Sequence, residues 1–113
     1  MPSLPPAALF ELRRLVDDLA HSRWDTIQSD GRAGRLTAAE LRRAVADYGR
    51  SLTPLPAEFP VDAYEIDGSP DSWAVDLPLW TTEEGQSDLT LQVTVQATDA
   101  GGVSLSVDDL HVL

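Results

Sequence analysis

Cysteine and lysine are both absent from the 113 residues of this chain. The first absence excludes disulfides, thiolate nucleophiles and cysteine-ligated metal sites. The second excludes a Schiff-base amine and the lysine of a phosphate-binding loop. Histidine is scarce, with only His21 and His111, and neither H-E-x-x-H nor a G-x-S-x-G elbow occurs. No apolar run approaches the roughly 20 residues that span a bilayer. The opening Met1-Pro2-Ser3-Leu4-Pro5-Pro6 has neither the basic n-region nor the apolar h-region of a signal peptide. The expectation is a cytoplasmic protein without a cofactor and without a recognisable catalytic set.

What is present is ordinary globular material. With 42% hydrophobic and 24% charged residues, the chain suits a single domain over 1–113 rather than a disordered tract. The charge is unevenly placed. All eight basic residues are arginines between Arg13 and Arg50, almost balanced by seven carboxylates within residues 1–50. Residues 51–113 carry twelve Asp and Glu and no Lys or Arg. Such a half repels nucleic acid and anionic membranes and favours a basic protein as partner. The plain alternative is that the carboxylates only keep the domain soluble.

Two helices are expected within residues 4–50. Ser3 is a candidate cap and Pro5 and Pro6 suit a first turn. Leu9, Leu12, Leu15, Val16, Leu19, Ala20, Trp24 and Ile27 then recur at helical spacing, with Arg13, Arg14, Asp17, Asp18 and His21 mostly opposite. This helix either continues to about Gln28 or breaks near Ser22. The second starts at Thr37, where Thr37-Ala38-Ala39-Glu40 forms a capping box, buries Leu41, Ala44, Val45 and Tyr48, and stops at Gly49.

After a proline-rich connector (51–60), residues 61–113 read as an antiparallel sheet of about four strands. Val61–Ile66 is the first, followed by a turn-rich Asp67–Asp71. The second runs from Trp73 to Leu79, where Pro78 suggests an edge or a bulge, and Thr81–Asp88 reads as a polar loop. Leu89, Leu91, Val93, Val95 and Ala97 alternate without fault against Thr90, Gln92, Thr94, Gln96 and Thr98, so one face is buried and the other is solvated or meets a partner. Val103, Leu105 and Val107 return as the fourth strand. There the apolar phase flips to Leu110 and Val112, with Asp108-Asp109 at the fault. One extra residue would make a β-bulge; otherwise the strand ends and a tail packs separately.

Motifs with chemical content are few. Ser29–Glu40 has the outline of a calcium loop, but Ser29, Gly31 and Ala33 stand where oxygen ligands are required, so no metal is expected. On a regular strand Asp109 and His111 share a face, with Asp76 as a candidate third member of a metal site or a carboxylate-oriented base. The simpler reading is a solvent-facing histidine. Glu83-Glu84 and Asp108-Asp109 are adjacent, hence poor dyads on a regular strand. Trp80 is either rim packing or a binding anchor. The binding candidates are therefore Asp76, Trp80, Glu83, Glu84, Asp88, Asp108, Asp109 and His111.

The stretch Trp73–Leu91 together with the closing Asp108-Asp109-Leu110-His111-Val112-Leu113 resembles a family of short bacterial domains of unknown function, which brings no assigned activity. More loosely, a helix followed by Arg23-Trp24-Asp25 and a curved sheet is similar to the NTF2-like (cystatin-like) α+β class. That resemblance implies helices on one face of a curved β-meander, and the class includes cavity enzymes, ligand-binding domains and immunity proteins. Three functions stay open. The first is a non-enzymatic acidic binding module, in its specific form an immunity-type inhibitor of a basic toxin or nuclease. The second is a small NTF2-like domain that binds or turns over a small molecule in a helix–sheet concavity. The third is an accessory or dimerisation domain, with monomer and homodimer both open.

Overall fold

Helix α1 (Pro6–Ala20) opens on a proline at its first position, where a missing N–H leaves nothing unpaired, and Pro5 provides no side-chain cap. The expected cap, Ser3, lies outside the described residues; the computed structural model describes residues 4–112. The apolar stripe does not continue as one helix to Gln28. It breaks at the earlier point, where Ser22 takes a left-handed φ of 59°, and resumes as the short α2 (Trp24–Ser29). Helix α3 (Ala38–Tyr48) is fixed at both ends by its own sequence. The Glu40 N–H donates to Thr37 Oγ1 and the Thr37 N–H to Glu40 Oε1, each at 3.1 Å, while Gly49 ends it at φ 75°.

The sheet has strands β1 (Leu52–Thr53), β2 (Asp62–Ile66), β3 (Ser69–Thr81), β4 (Gly85–Ala97) and β5 (Val103–Val112), all neighbours antiparallel. β3 is the organising strand. β4 pairs along one side of it, while β1 and β2 share the other, opposite Trp80–Thr81 and Ser69–Asp76. Pro78 falls between those two stretches, where neither β1 nor β2 pairs with β3, which is how an interior strand tolerates a residue without an N–H. Three features differ from the sequence expectation. β1 is additional, β3 begins at Ser69 rather than Trp73, and the loop Thr81–Asp88 tightens into a hairpin over 82–84. The phase flip is a β-bulge: Val93 faces Val107 but Gln92 faces Asp109, so Asp108 is the extra residue.

All three helices cover one face of this sheet. Trp73, Val75, Leu77, Leu79, Leu91, Val93, Val95 and Val107 meet Leu12, Leu15, Val16, Leu19, Ile27 and Leu41 in one core. The side of the sheet that faces the helices is thus filled with side chains, most of them fully buried. Leu9, expected on the apolar stripe, is instead 40% exposed.

A second departure matters more. Asp18, placed by helical phase on the solvated side, is only 8% exposed, and Arg32 only 7%. Arg32 Nη2 donates to Asp18 at 2.6 Å, its Nε donates to Asp30 at 2.8 Å, and Arg23 donates to Asp18 at 2.9 Å. The Val107 N–H donates to the Arg32 carbonyl at 2.8 Å, tying the α2–α3 loop to the outer edge of β5. Gly34, at φ 62°, lies so close to β5 that an added Cβ would sit 2.5 Å from the Val107 carbonyl oxygen. On the opposite edge Arg13 donates to the Leu55 carbonyl at 2.9 Å and stacks over Phe59. An arginine from the helical half therefore secures each side of the sheet.

Two outcomes follow. Val93→Ala should lower stability by about 2 kcal/mol through lost burial. Thr94→Ala, on the other face, should cost less than about 1 kcal/mol; urea titration separates them. Burial alone would push the Asp18 carboxyl up, but hydrogen bonds and attraction from Arg23 and Arg32 outweigh it and hold it below the ordinary range. Asp30 is held low in the same sense: burial opposes, and the bonds to Arg32 prevail. A depressed folded-state pKa gives stability that is present above about pH 4 and lost as pH falls through the depressed range. Asp18→Asn should therefore cost about 3 kcal/mol near neutrality. That deficit should shrink between pH 4 and 2 in titrations repeated across pH.

Candidate functional site

The face of the sheet turned away from the helices is built by strand alternation. Because the inward residues of β3 and β4 are odd-numbered, the even-numbered ones form the outer face. Register then decides which of them meet. Asp62 of β2 lies opposite Asp76 of β3, Asp76 opposite Gln92 of β4, and Gln92 opposite Asp109 of β5. One rung across four strands thus carries three carboxylates and one amide. The amide is committed: Gln92 Nε2 donates to Asp76 Oδ1 at 3.1 Å. Directly opposed like charges, as at Asp62 and Asp76, are destabilising in a sheet.

The next rung brings together Tyr64, Ala74, Thr94 and Ser106. Tyr64 is 58% exposed. The Thr94 hydroxyl donates to Asp108 Oδ2 at 2.7 Å, so the bulge turns Asp108 onto the outer face. Asp109 belongs to the β5 edge. Its Oδ1 accepts the Leu110 N–H at 2.8 Å, and its Oδ2 lies 3.1 Å from His111 Nδ1, out of line for a hydrogen bond. On the other side of the acidic rung Pro78, Thr90 and His111 stand abreast.

Of the residues singled out from sequence, Asp76, Asp108, Asp109 and His111 reach this face or its margin. They do not assemble as the three-member site considered above. Gln92 stands between Asp76 and Asp109, and the described residues hold no group of three or more His, Cys, Asp or Glu suited to a metal ion. Trp80 is half-buried against the margin of the core, and its Nε1 is enclosed without an acceptor among the described residues. Asp88 is exposed at the start of β4, where its N–H donates to Tyr48 Oη at 3.3 Å.

Glu83 and Glu84 serve a different purpose. Glu83 accepts the Ser51 N–H at 2.9 Å and its hydroxyl at 3.1 Å, and the Ser51 N–H in particular holds its carboxyl below the usual range. Glu84 accepts the Tyr48 hydroxyl at 2.7 Å, which pushes that phenol up. The two glutamates fasten the β3–β4 hairpin to the end of α3. Sequence reasoning missed Asp62 and Tyr64 as members of the face. Their alternation in β2 was visible, but the register against β3 was not.

Chemically the face offers oriented carboxylates, amides and hydroxyls with an exposed tyrosine beside them. Among the described residues no arginine forms an ion pair with any carboxylate beyond residue 50. No curated protein and no solved structure matches the chain. The family model described as Domain of unknown function (DUF7668) matches residues 15–113, which include the Asp18–Arg32 network, the acidic rung and the bulge, and the chain belongs to that family.

Proposed function

We propose that this protein is a non-enzymatic binding module whose outer sheet face receives a basic protein. The observation that carries the reading is the rung Asp62–Asp76–Gln92–Asp109. It keeps like charges opposed at a cost to the free domain, and a cationic partner would relieve that repulsion. Tyr64, exposed beside it, supplies the aromatic anchor that a charged patch alone lacks. The specific form proposed is an immunity-type inhibitor that masks a basic toxin or nuclease. A bacterial cytoplasmic setting belongs to the same proposal. No described helix is long and apolar enough to cross a membrane.

The test uses Asp62→Asn with Asp76→Asn. Urea titration of the free double variant should show it equal to or slightly more stable than the parent, by a few tenths of a kcal/mol. Against a partner captured on the immobilised domain, association at low salt should slow about ten-fold, and the difference should vanish at high ionic strength. Asp88→Asn, away from the rung, should change the rate less. A partner that is itself acidic, or an on-rate indifferent to salt and to the double substitution, overturns the reading.

A further inference from the structure

We infer a second binding site, independent of the outer face, along the free edge of β5: a cleft that takes an extended peptide segment of a partner protein by strand addition. Among the described residues β5 pairs with no strand but β4, which leaves its other edge open over Val103–Leu105. The Thr98 N–H donates to the Gly102 carbonyl across the hairpin, while the Val107 N–H points outward to Arg32. Alternation therefore turns the backbone groups of Gly102, Ser104 and Ser106 toward β4 and those of Val103, Leu105 and Val107 away from it. The loop holds this edge at Val107 and, through Arg35, at the Asp108 carbonyl. Beside the uncapped Val103 and Leu105 lies a cleft of about 440 Å³, bounded by Glu11 and Arg14 of α1 and by Asp30 and Arg32 of the loop.

Charge selects the class of occupant. Arg14 is paired with Glu11 at 3.5 Å, and Arg32 with Asp18 and Asp30. These charges close on one another, so the cleft has no free ion to recognise a phosphate, a carboxylate or a metal. What it leaves unsatisfied among the described residues is neutral hydrogen bonding, the outward N–H and C=O groups of Val103 and Leu105. Peptide backbone satisfies both sexes of hydrogen bond at strand spacing. The loop already shows what this edge accepts, since the Arg32 carbonyl is itself backbone laid against β5.

The experiment begins on the free chain by amide hydrogen exchange. Val103 and Leu105 should exchange without protection, while Ser104 and Ser106 are slow. A displayed library of linear heptapeptides is then selected against the domain and its best member synthesised. Binding should shift the resonances of Val103–Ser106 and slow the Leu105 amide. Methylating the central backbone nitrogens of the peptide, which leaves its side chains and the protein untouched, should weaken it at least ten-fold. Val103→Pro, which removes an outward N–H without breaking the β4 ladder, should do the same while keeping the remaining spectrum. The inference fails if the library yields no binder, if the peptide maps elsewhere, or if N-methylation has no effect. It also fails if Val103 and Leu105 are already protected and sedimentation shows a dimer, since the edge would then belong to a second copy.

Discussion

The buried guanidinium of Arg32 is the constraint on which the arrangement of this domain depends. Its Nε and Nη2 hold Asp30 and Asp18, and its carbonyl holds the Val107 N–H. One residue thus joins α1, the α2–α3 loop and the last strand. Removing a single partner would leave a charge uncompensated in a place that water does not reach, a larger penalty than the pair's own net contribution. The network also explains the helical break. Arg23, just past the left-handed Ser22, returns to Asp17 and Asp18, and a continuous helix to Gln28 would carry it away from both.

The bulge is the corresponding constraint at the other end of β5. Leu105 and Val107 are buried, and so is Leu110. With a period of two, only an extra residue lets all three face the core. The inserted Asp108 is what the outer face gains, because its carboxylate is then fixed by Thr94. The packing need and the surface feature have one cause. The same extra residue turns Asp109 toward the β5 edge, where it meets His111.

Local physics was legible in the sequence, and long-range physics was not. The capping box at Thr37 and Glu40, the αL stop at Gly49, the alternation of Leu89 to Ala97 and the phase fault at Asp108-Asp109 depend only on near neighbours, and each appears where the pattern put it. Asp18 and Arg32 are fourteen residues apart, and nothing in helical phase says that an aspartate will turn inward to meet a loop arginine. Strand β1 has two residues and exists because β3 offers it an edge. Glu83 and Glu84 looked like free loop charges because their partners, Ser51 and Tyr48, are more than thirty residues earlier. Of the face itself, Asp76, Asp108 and the alternating polar residues of β4 were readable. The opposition of Asp62 to Asp76 needed the register of β2, which the irregularity between Glu65 and Ile66 makes invisible to pattern.

The separation of charge along the chain acquires a structural sense from these contacts. If the carboxylates beyond residue 50 served only solubility, nothing would select their positions, and arginines close in space would be free to pair with some of them. Instead most arginines of the helical half pair among their own neighbours or reach backbone carbonyls, as Arg13 does at Leu55 and Ala57 and Arg35 does at Asp108. Glu83 accepts the N–H and hydroxyl of Ser51, and Glu84 accepts the Tyr48 hydroxyl. On the outer face Asp76 and Asp108 are held by neutral donors, Gln92 and Thr94 respectively. Neutral donors orient a carboxylate without cancelling its charge. A face organised in this way keeps its negative potential and loses its disorder, and those are the two properties that electrostatic recognition of a cationic surface requires.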